Sequence, residues 1–260
     1  MVKRGYLLLG ALAFLVWVSG ACQRSEGDIP SALTVAAAAD LTFAFREMGQ
    51  RFQEQTGIPV TFTFGSSGQL AHQIEYGAPV DVFASADMAL VEDLVRKGLA
   101  YADTLALYAR GRIGVWARPD SPLELGGLED LARPEIRRIA IANPQHAPYG
   151  VAARQALQSV GLWDALRPKL VLGENVRQAL QYAETGNADV AIVALALAVR
   201  TPGKWYLIPE EVHAPIEQGI VVVKGTRQEA QARRFVQFVL GAEGRAILQR
   251  YGFVVPHASP

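Results

Sequence analysis

Two adjacent hydroxyls, Ser66 and Ser67, stand between glycines in Gly65-Ser66-Ser67-Gly68. The alternating run Val60-Thr61-Phe62-Thr63-Phe64 before them reads as a strand. The apolar spacing after them, through Leu70, Ala71 and Ile74 up to Gly77, reads as a helix. The first amides of a helix have no intrahelical acceptor and carry partial positive charge. Hydroxyls beside such amides form a donor-rich cup for an oxyanion without any formal charge. One of the two serines also reads as an ordinary N-cap. Three further strand-to-helix turns have the same character: Ala39-Asp40, Pro148-Tyr149 and Asn175-Val176. In open α/β sheets, ligands collect where strand carboxyl ends meet helix N-termini. Four such turns facing one another would enclose one small anion.

The same residues argue against catalysis. Gly-Ser-Ser-Gly is not the Gly-x-Ser-x-Gly nucleophile elbow. His72, His146, His213 and His257 lack metal-ligand spacing, and His72 reads as a surface residue. No paired carboxylates stand out, so the chain is expected not to be an enzyme. The 25 basic and 25 acidic residues balance, and without a basic stripe nucleic acid is no expected partner.

The elements that position these turns follow from hydrophobic patterning. Leu33–Ala38 is a buried strand. Asp40 then stands as an N-cap before an amphipathic helix with Leu41, Ala44, Phe45, Met48 and Phe52 on one face, ended by Gly57. The alternative for Asp40 is that it lines the anion site, where a carboxylate repels a dianion but accepts a hydrogen bond from a protonated oxyanion, or holds a cation beside the anion. Further strands are expected at Asp81–Ser85, Leu105–Tyr108, Ile113–Ala117, Ile139–Ala142, Leu170–Leu172, Asp189–Leu195, Trp205–Ile208 and Ile220–Val223, with helices between most of them. This alternation implies parallel sheets wrapped by helices.

The chain has 260 residues, enough for one large or two modest α/β domains. Its first 21 residues read as a secretory signal peptide: Lys3 and Arg4, the apolar run Tyr6–Val18, then Ser19, Gly20 and Ala21. The single cysteine, Cys22, follows directly and resembles the lipidated residue of a bacterial lipoprotein box, with Gln23–Pro30 as a polar tether. The expected location is therefore the cell envelope, periplasmic or on the outer face of the plasma membrane.

Several blocks resemble the periplasmic molybdate-binding proteins of ABC importers. They are Ala36-Ala37-Ala38-Ala39-Asp40-Leu41, Gly65-Ser66-Ser67-Gly68-Gln69-Leu70, Gly77-Ala78-Pro79-Val80-Asp81-Val82-Phe83, Asn143-Pro144-Gln145-His146-Ala147-Pro148-Tyr149-Gly150, Glu174-Asn175-Val176-Arg177 and Arg250-Tyr251-Gly252-Phe253. The resemblance implies an α/β, two-lobed type II periplasmic binding protein, each lobe a mostly parallel sheet flanked by helices, joined by two crossover segments. Residues 31–109 plus 219–260 would form lobe I, and 110–218 lobe II. It implies molybdate or tungstate as ligand, held by hydroxyls and backbone amides, with metal entering only as oxyanion and no cofactor. Ser67 matches the second binding serine, while Tyr149 and Val176 match amide donors. Ala39 stands where the family often has serine or threonine, and Ala194 where it commonly has a tyrosine. The Tyr149 phenol is expected to compensate from the opposite lobe. The implied partners are the membrane subunits of an ABC permease and, through the lipid anchor, the membrane, for a monomer. The alternative is a binding protein for a different small anion: another oxyanion, bicarbonate or a small carboxylate, with or without a cation.

Overall fold

The computed structural model describes residues 31–256, so the expected signal peptide, Cys22 and its tether lie outside the described residues. Ten strands build two sheets of five. The first contains β1 (Leu33–Ala38), β2 (Val60–Gly65), β3 (Val82–Ser85), β4 (Ala106–Gly111) and, much later, β10 (Ile216–Val222), in the order β2-β1-β3-β10-β4. The second contains β5 (Ile113–Ala117), β6 (Ile139–Ala142), β7 (Leu170–Gly173), β8 (Val190–Ala194) and β9 (Lys204–Leu207), in the order β7-β6-β8-β5-β9.

The two orders are the same pattern. In the first sheet β1 is parallel to β2 and β3, while β10 runs antiparallel between β3 and β4. In the second, β6 is parallel to β7 and β8, while β5 runs antiparallel between β8 and β9. Each sheet therefore has four strands pointing one way and one reversed, and the reversed strand is the one entered by a crossover. The chain leaves the first sheet at Gly111 and begins β5 at Ile113; it returns when Ile216–Gln218 pair with Ala109–Gly111.

Helices cover both sheets: α1 (Thr42–Thr56), α2 (Ser67–Glu75), α3 (Met88–Arg96), α4 (Pro148–Ser159), α5 (Trp163–Leu166), α6 (Val176–Glu184), α7 (Leu195–Ala198), α8 (Glu229–Leu240) and α9 (Ala242–Arg250). The α1 stripe of Phe45, Met48 and Phe52 is buried, and Gly57 ends the helix in the left-handed conformation at φ 73°. The C-terminal helices return to this stripe: Phe235 of α8 meets Phe52 edge-on at 5.3 Å and Phe45 at 6.0 Å between ring centroids. Lobe I is thus closed by residues from both ends of the chain. Trp116, Ile139, Ile141 and Ile192 of the second sheet are buried together with Leu180 of α6.

Candidate oxyanion site between the lobes

Three helices start at the carboxyl ends of parallel strands and point toward the interlobe space: α2 after β2, α4 after β6 and α6 after β7. Two of the starts are capped by a side chain and the third begins with proline, and in each an outer amide stays free. At α2, Ser66 is the N-cap and its Oγ accepts from the Gln69 amide at 3.4 Å. At α6, Asn175 Oδ1 accepts from the amides of Arg177 and Gln178, each at 3.0 Å. At α4 the first position is Pro148, which has no N–H to satisfy. The amides of Ser67, Tyr149 and Val176 remain, and among the described residues none of them has a hydrogen-bond acceptor.

All six residues singled out in the sequence, Ala39, Asp40, Ser66, Ser67, Tyr149 and Val176, line one small cavity of about 10 Å³ between the lobes. These six are buried, as are Ala86 and Ala147 beside them. No lysine, arginine or histidine lines it. Ser67 Oγ accepts from the Ala86 amide at 2.9 Å, which leaves its own proton for a guest. Among the described residues no cluster of three or more His, Cys, Asp or Glu side chains is grouped to hold a metal ion.

Three side chains behave differently from the sequence expectation. Asp40 is not a helix cap. It lies inside a short 3-10 helix, Ala39–Leu41, and neither that turn nor α1 has a side-chain cap. The extra turn rotates its carboxylate inward, where Oδ2 accepts from the Tyr149 phenol at 2.8 Å and from Gln218 Nε2 at 2.7 Å. The Tyr149 phenol therefore does not stand in for the missing family hydroxyls, because its proton goes to Asp40. Ser66 is occupied too: it donates to the His146 carbonyl at 2.9 Å, and His146 Nδ1 lies 2.8 Å from Oγ. Serine has one proton, so with that bond made the imidazole Nδ1 carries the hydrogen toward Oγ. Ala194 is fully buried at the end of β8 and does not line the cavity.

Residues the sequence reading passed over complete the site. Gln218 of β10 is fully buried; besides Asp40 it donates to the Tyr149 oxygen at 2.9 Å, and its Oε1 accepts from the Tyr108 phenol at 2.7 Å. Its only local signal is a glutamine leading into the apolar run Ile220–Val223. Gly111 makes room for this network, since a Cβ there would collide with the Tyr149 hydroxyl and lie 2.9 Å from its ring carbon Cζ and 3.0 Å from Gln218 Nε2. Gly68 plays the same part at the rim: its amide donates to the His146 carbonyl at 3.0 Å, and a Cβ would sit 2.7 Å from that oxygen. Gln69 Nε2 adds a bond to Glu174 Oε2 at 2.7 Å.

Burial dominates the protonation of the inner network. It pushes the Asp40 carboxyl up to about 6, against the opposing pull of the Gln218 and Tyr149 hydrogen bonds and, less strongly, of the Asp40 and Leu41 amides. Burial, and then the Asp40 charge, raise both the Tyr149 and Tyr108 phenols, so each stays a donor at neutral pH.

An envelope of two crossover-linked α/β lobes around a cup of free amides is the architecture of an extracellular solute receptor, and comparison with known proteins agrees. The chain matches the family of bacterial extracellular solute-binding proteins over residues 33–254, and it belongs to that family. It is 34% identical to the molybdate-binding protein ModA of Rhodobacter capsulatus over 95% of this chain and 96% of that one. The structure of the periplasmic molybdate-binding protein of Azotobacter vinelandii superposes with a TM-score of 0.81 at 35% identity, covering 86% of this chain and all of that one. The sulfate-binding protein SubI of Mycobacterium tuberculosis shares the fold, with a TM-score of 0.74 at 18% identity over 88% of each chain.

Proposed function

We propose that this protein captures a tetrahedral oxyanion of the molybdate or tungstate type in the interlobe cavity and delivers it to the membrane subunits of an ABC permease. One observation carries the reading: the amides of Ser67, Tyr149 and Val176 and the Ser67 hydroxyl reach one buried cavity as donors without acceptors. Buried donors left unpaired cost about 1–3 kcal/mol each, so the cup is completed by a guest that only accepts. Molybdate and tungstate are such guests. Holding the ion on dipoles rather than salt bridges also favours its release to a permease. The names of the relatives at 34–35% identity support this choice of ion. We assign the binding roles to Ser67, Tyr149 and Val176, with Ala39, Asp40 and Ser66 in the wall. We further propose that Cys22 is lipidated after removal of residues 1–21 and that a monomer works at the outer face of the membrane.

A second reading, a protonated anion such as bicarbonate or hydrogen phosphate, is favoured by one observation: Asp40 Oδ1 makes no hydrogen bond. Titration calorimetry with molybdate, tungstate, sulfate, phosphate and bicarbonate separates the two. The expected result is tight binding of molybdate and tungstate, lowered about 10- to 100-fold by Ser67→Ala, the equivalent of losing a buried charge-assisted hydrogen bond. No heat with any tetrahedral anion would overturn the function, and an unchanged affinity in Ser67→Ala would overturn the site.

A further inference from the structure

Resting on the oxyanion reading above, we propose that the site is proton-linked: the protein takes up a dianion together with one proton, held on Asp40 Oδ1 in the cavity wall. The geometry decides where that proton sits. Asp40 lines the cavity and is 1% exposed. Its Oδ2 already accepts two hydrogen bonds, from Tyr149 and Gln218. Those donors are locked in that role. Tyr108 donates to Gln218 Oε1, which fixes the amide so that Nε2 faces Asp40, and Gln218 Nε2 also donates to the Tyr149 oxygen, so the phenol proton points to Asp40. Oδ1 makes no hydrogen bond of its own, although the Asp40 and Leu41 amides lie close enough to the carboxylate to favour its charge slightly. An added proton therefore goes to Oδ1, the oxygen that makes no hydrogen bond.

Protonation completes the cup. With Asp40 ionised, one acceptor with a full negative charge stands among donors, against a dianion. With Asp40 neutral, the acid O–H joins Ser67, Tyr149 and Val176 as a further donor, and the wall carries no charge. The change is Asp40-COO⁻ plus H⁺ plus XO₄²⁻ giving Asp40-COOH hydrogen-bonded to XO₄²⁻, with no bond to the central atom made or broken.

No lysine, arginine or histidine lines the cavity to substitute for the proton; on α4, the helix of Tyr149, the one charged residue is Arg154, whose Nε makes no hydrogen bond. Of the elements packed against the Asp40 turn, β2 and α7 carry no charged residue. On α6, Arg177 pairs with Glu184 at 2.6 Å and lies over the Phe43 ring. On α1, Arg46 lies over Phe64, and Glu47 is engaged by Arg250 and Tyr251. At the crossovers Arg110 pairs with Glu217 at 2.8 Å, and Arg112 faces Ile208 and Glu210. His146 lies behind Ser66, with Glu174 3.9 Å from its Nε2. The raised Asp40 value, about 6, agrees with this, and a dianion beside it raises it further.

The test is molybdate titration of the full chain from roughly pH 5 to pH 8, spanning the Asp40 value of about 6. It is repeated at the upper pH in two buffers with different ionisation heats, to count protons taken up. Wild type is expected to lose affinity about tenfold per pH unit above that value and to take up close to one proton per ion. Asp40→Asn, whose amide donates from the same place, is expected to bind without a pH slope, to take up no proton and to surpass wild type at the upper pH. Molybdate bound by wild type with flat affinity and no proton uptake overturns the linkage while leaving the oxyanion reading intact; this arm does not depend on the variant's folding. Hydrogen phosphate bound tightly without proton uptake, with molybdate rejected, overturns it as well. No binding of any tetrahedral anion by either protein at any pH overturns both.

Discussion

On the crossover side of the cavity, Asp40, Tyr149 and Gln218 join the lobes through bonds that water does not reach, whereas at the mouth Gln69 meets Glu174, and Ser66 and Gly68 meet His146, in partly exposed surroundings. Both seams hold the same two lobes together, but they respond differently to separation. Water replaces the outer bonds nearly one for one, so they cost little to break. The inner bonds lie in a low-dielectric space where each lost partner leaves a buried polar group unmet. The outer seam suits repeated opening; the inner one sets how far the lobes return and in what register.

Four substitutions or conditions break or sharpen this contrast. The largest effect is expected from Gly111→Ala, where the new methyl must displace both the Tyr149 ring and Gln218. A loss of about 3 kcal/mol, at the top of the overpacking range, should appear in urea unfolding, with lobes that fail to close in small-angle scattering. Next is the pH dependence of the empty protein. Between 3.8 and about 6 the folded chain holds an Asp40 proton that the unfolded chain has released, so stability falls as pH rises through that window. The total is about 3 kcal/mol, and the unfolding free energy of Asp40→Asn should lack this falling limb. Tyr149→Phe should cost about 1–2 kcal/mol in the same assay, since Asp40 Oδ2 keeps Gln218 but loses the phenol. Gln69→Ala, in the outer seam, should cost under about 1 kcal/mol and change ion affinity only slightly. A Gln69→Ala penalty equal to that of Tyr149→Phe would remove the distinction between the seams.

What was legible in the sequence follows the same division. Strand ends and helix starts are local signals: Gly65, Pro148 and Asn175 mark turns because of their own backbone preferences, and the structure brings all the residues named beside them to one cavity. The inner network has no such signal. Gln218 meets Asp40 across 178 positions and Tyr149 across 69, distances over which spacing says nothing. Of the two readings the sequence leaves for Asp40, the pattern favours the cap, because an acidic residue before an amphipathic helix is the usual signature of one; the intervening 3-10 turn that instead carries it into the cavity wall leaves no mark in the pattern. Ser66 and Ser67 were recognised as a pair, but their division, one capping and reaching across to His146, the other turned to the cavity, depends on how near the opposite lobe comes.

The placement of β10 between β3 and β4 bears on how the chain acquires its structure. The second sheet is built from one unbroken stretch, Ile113 to Leu207, whereas the first lacks an interior strand until residues past Ile216 arrive. A chain emerging amino end first can therefore complete its middle while its beginning still waits for its tail. Of the four tryptophans, Trp116, Trp163 and Trp205 all belong to that middle stretch and Trp17 lies outside the described residues, so indole emission from the described fold in a refolding experiment reports the early half and is silent about the late one.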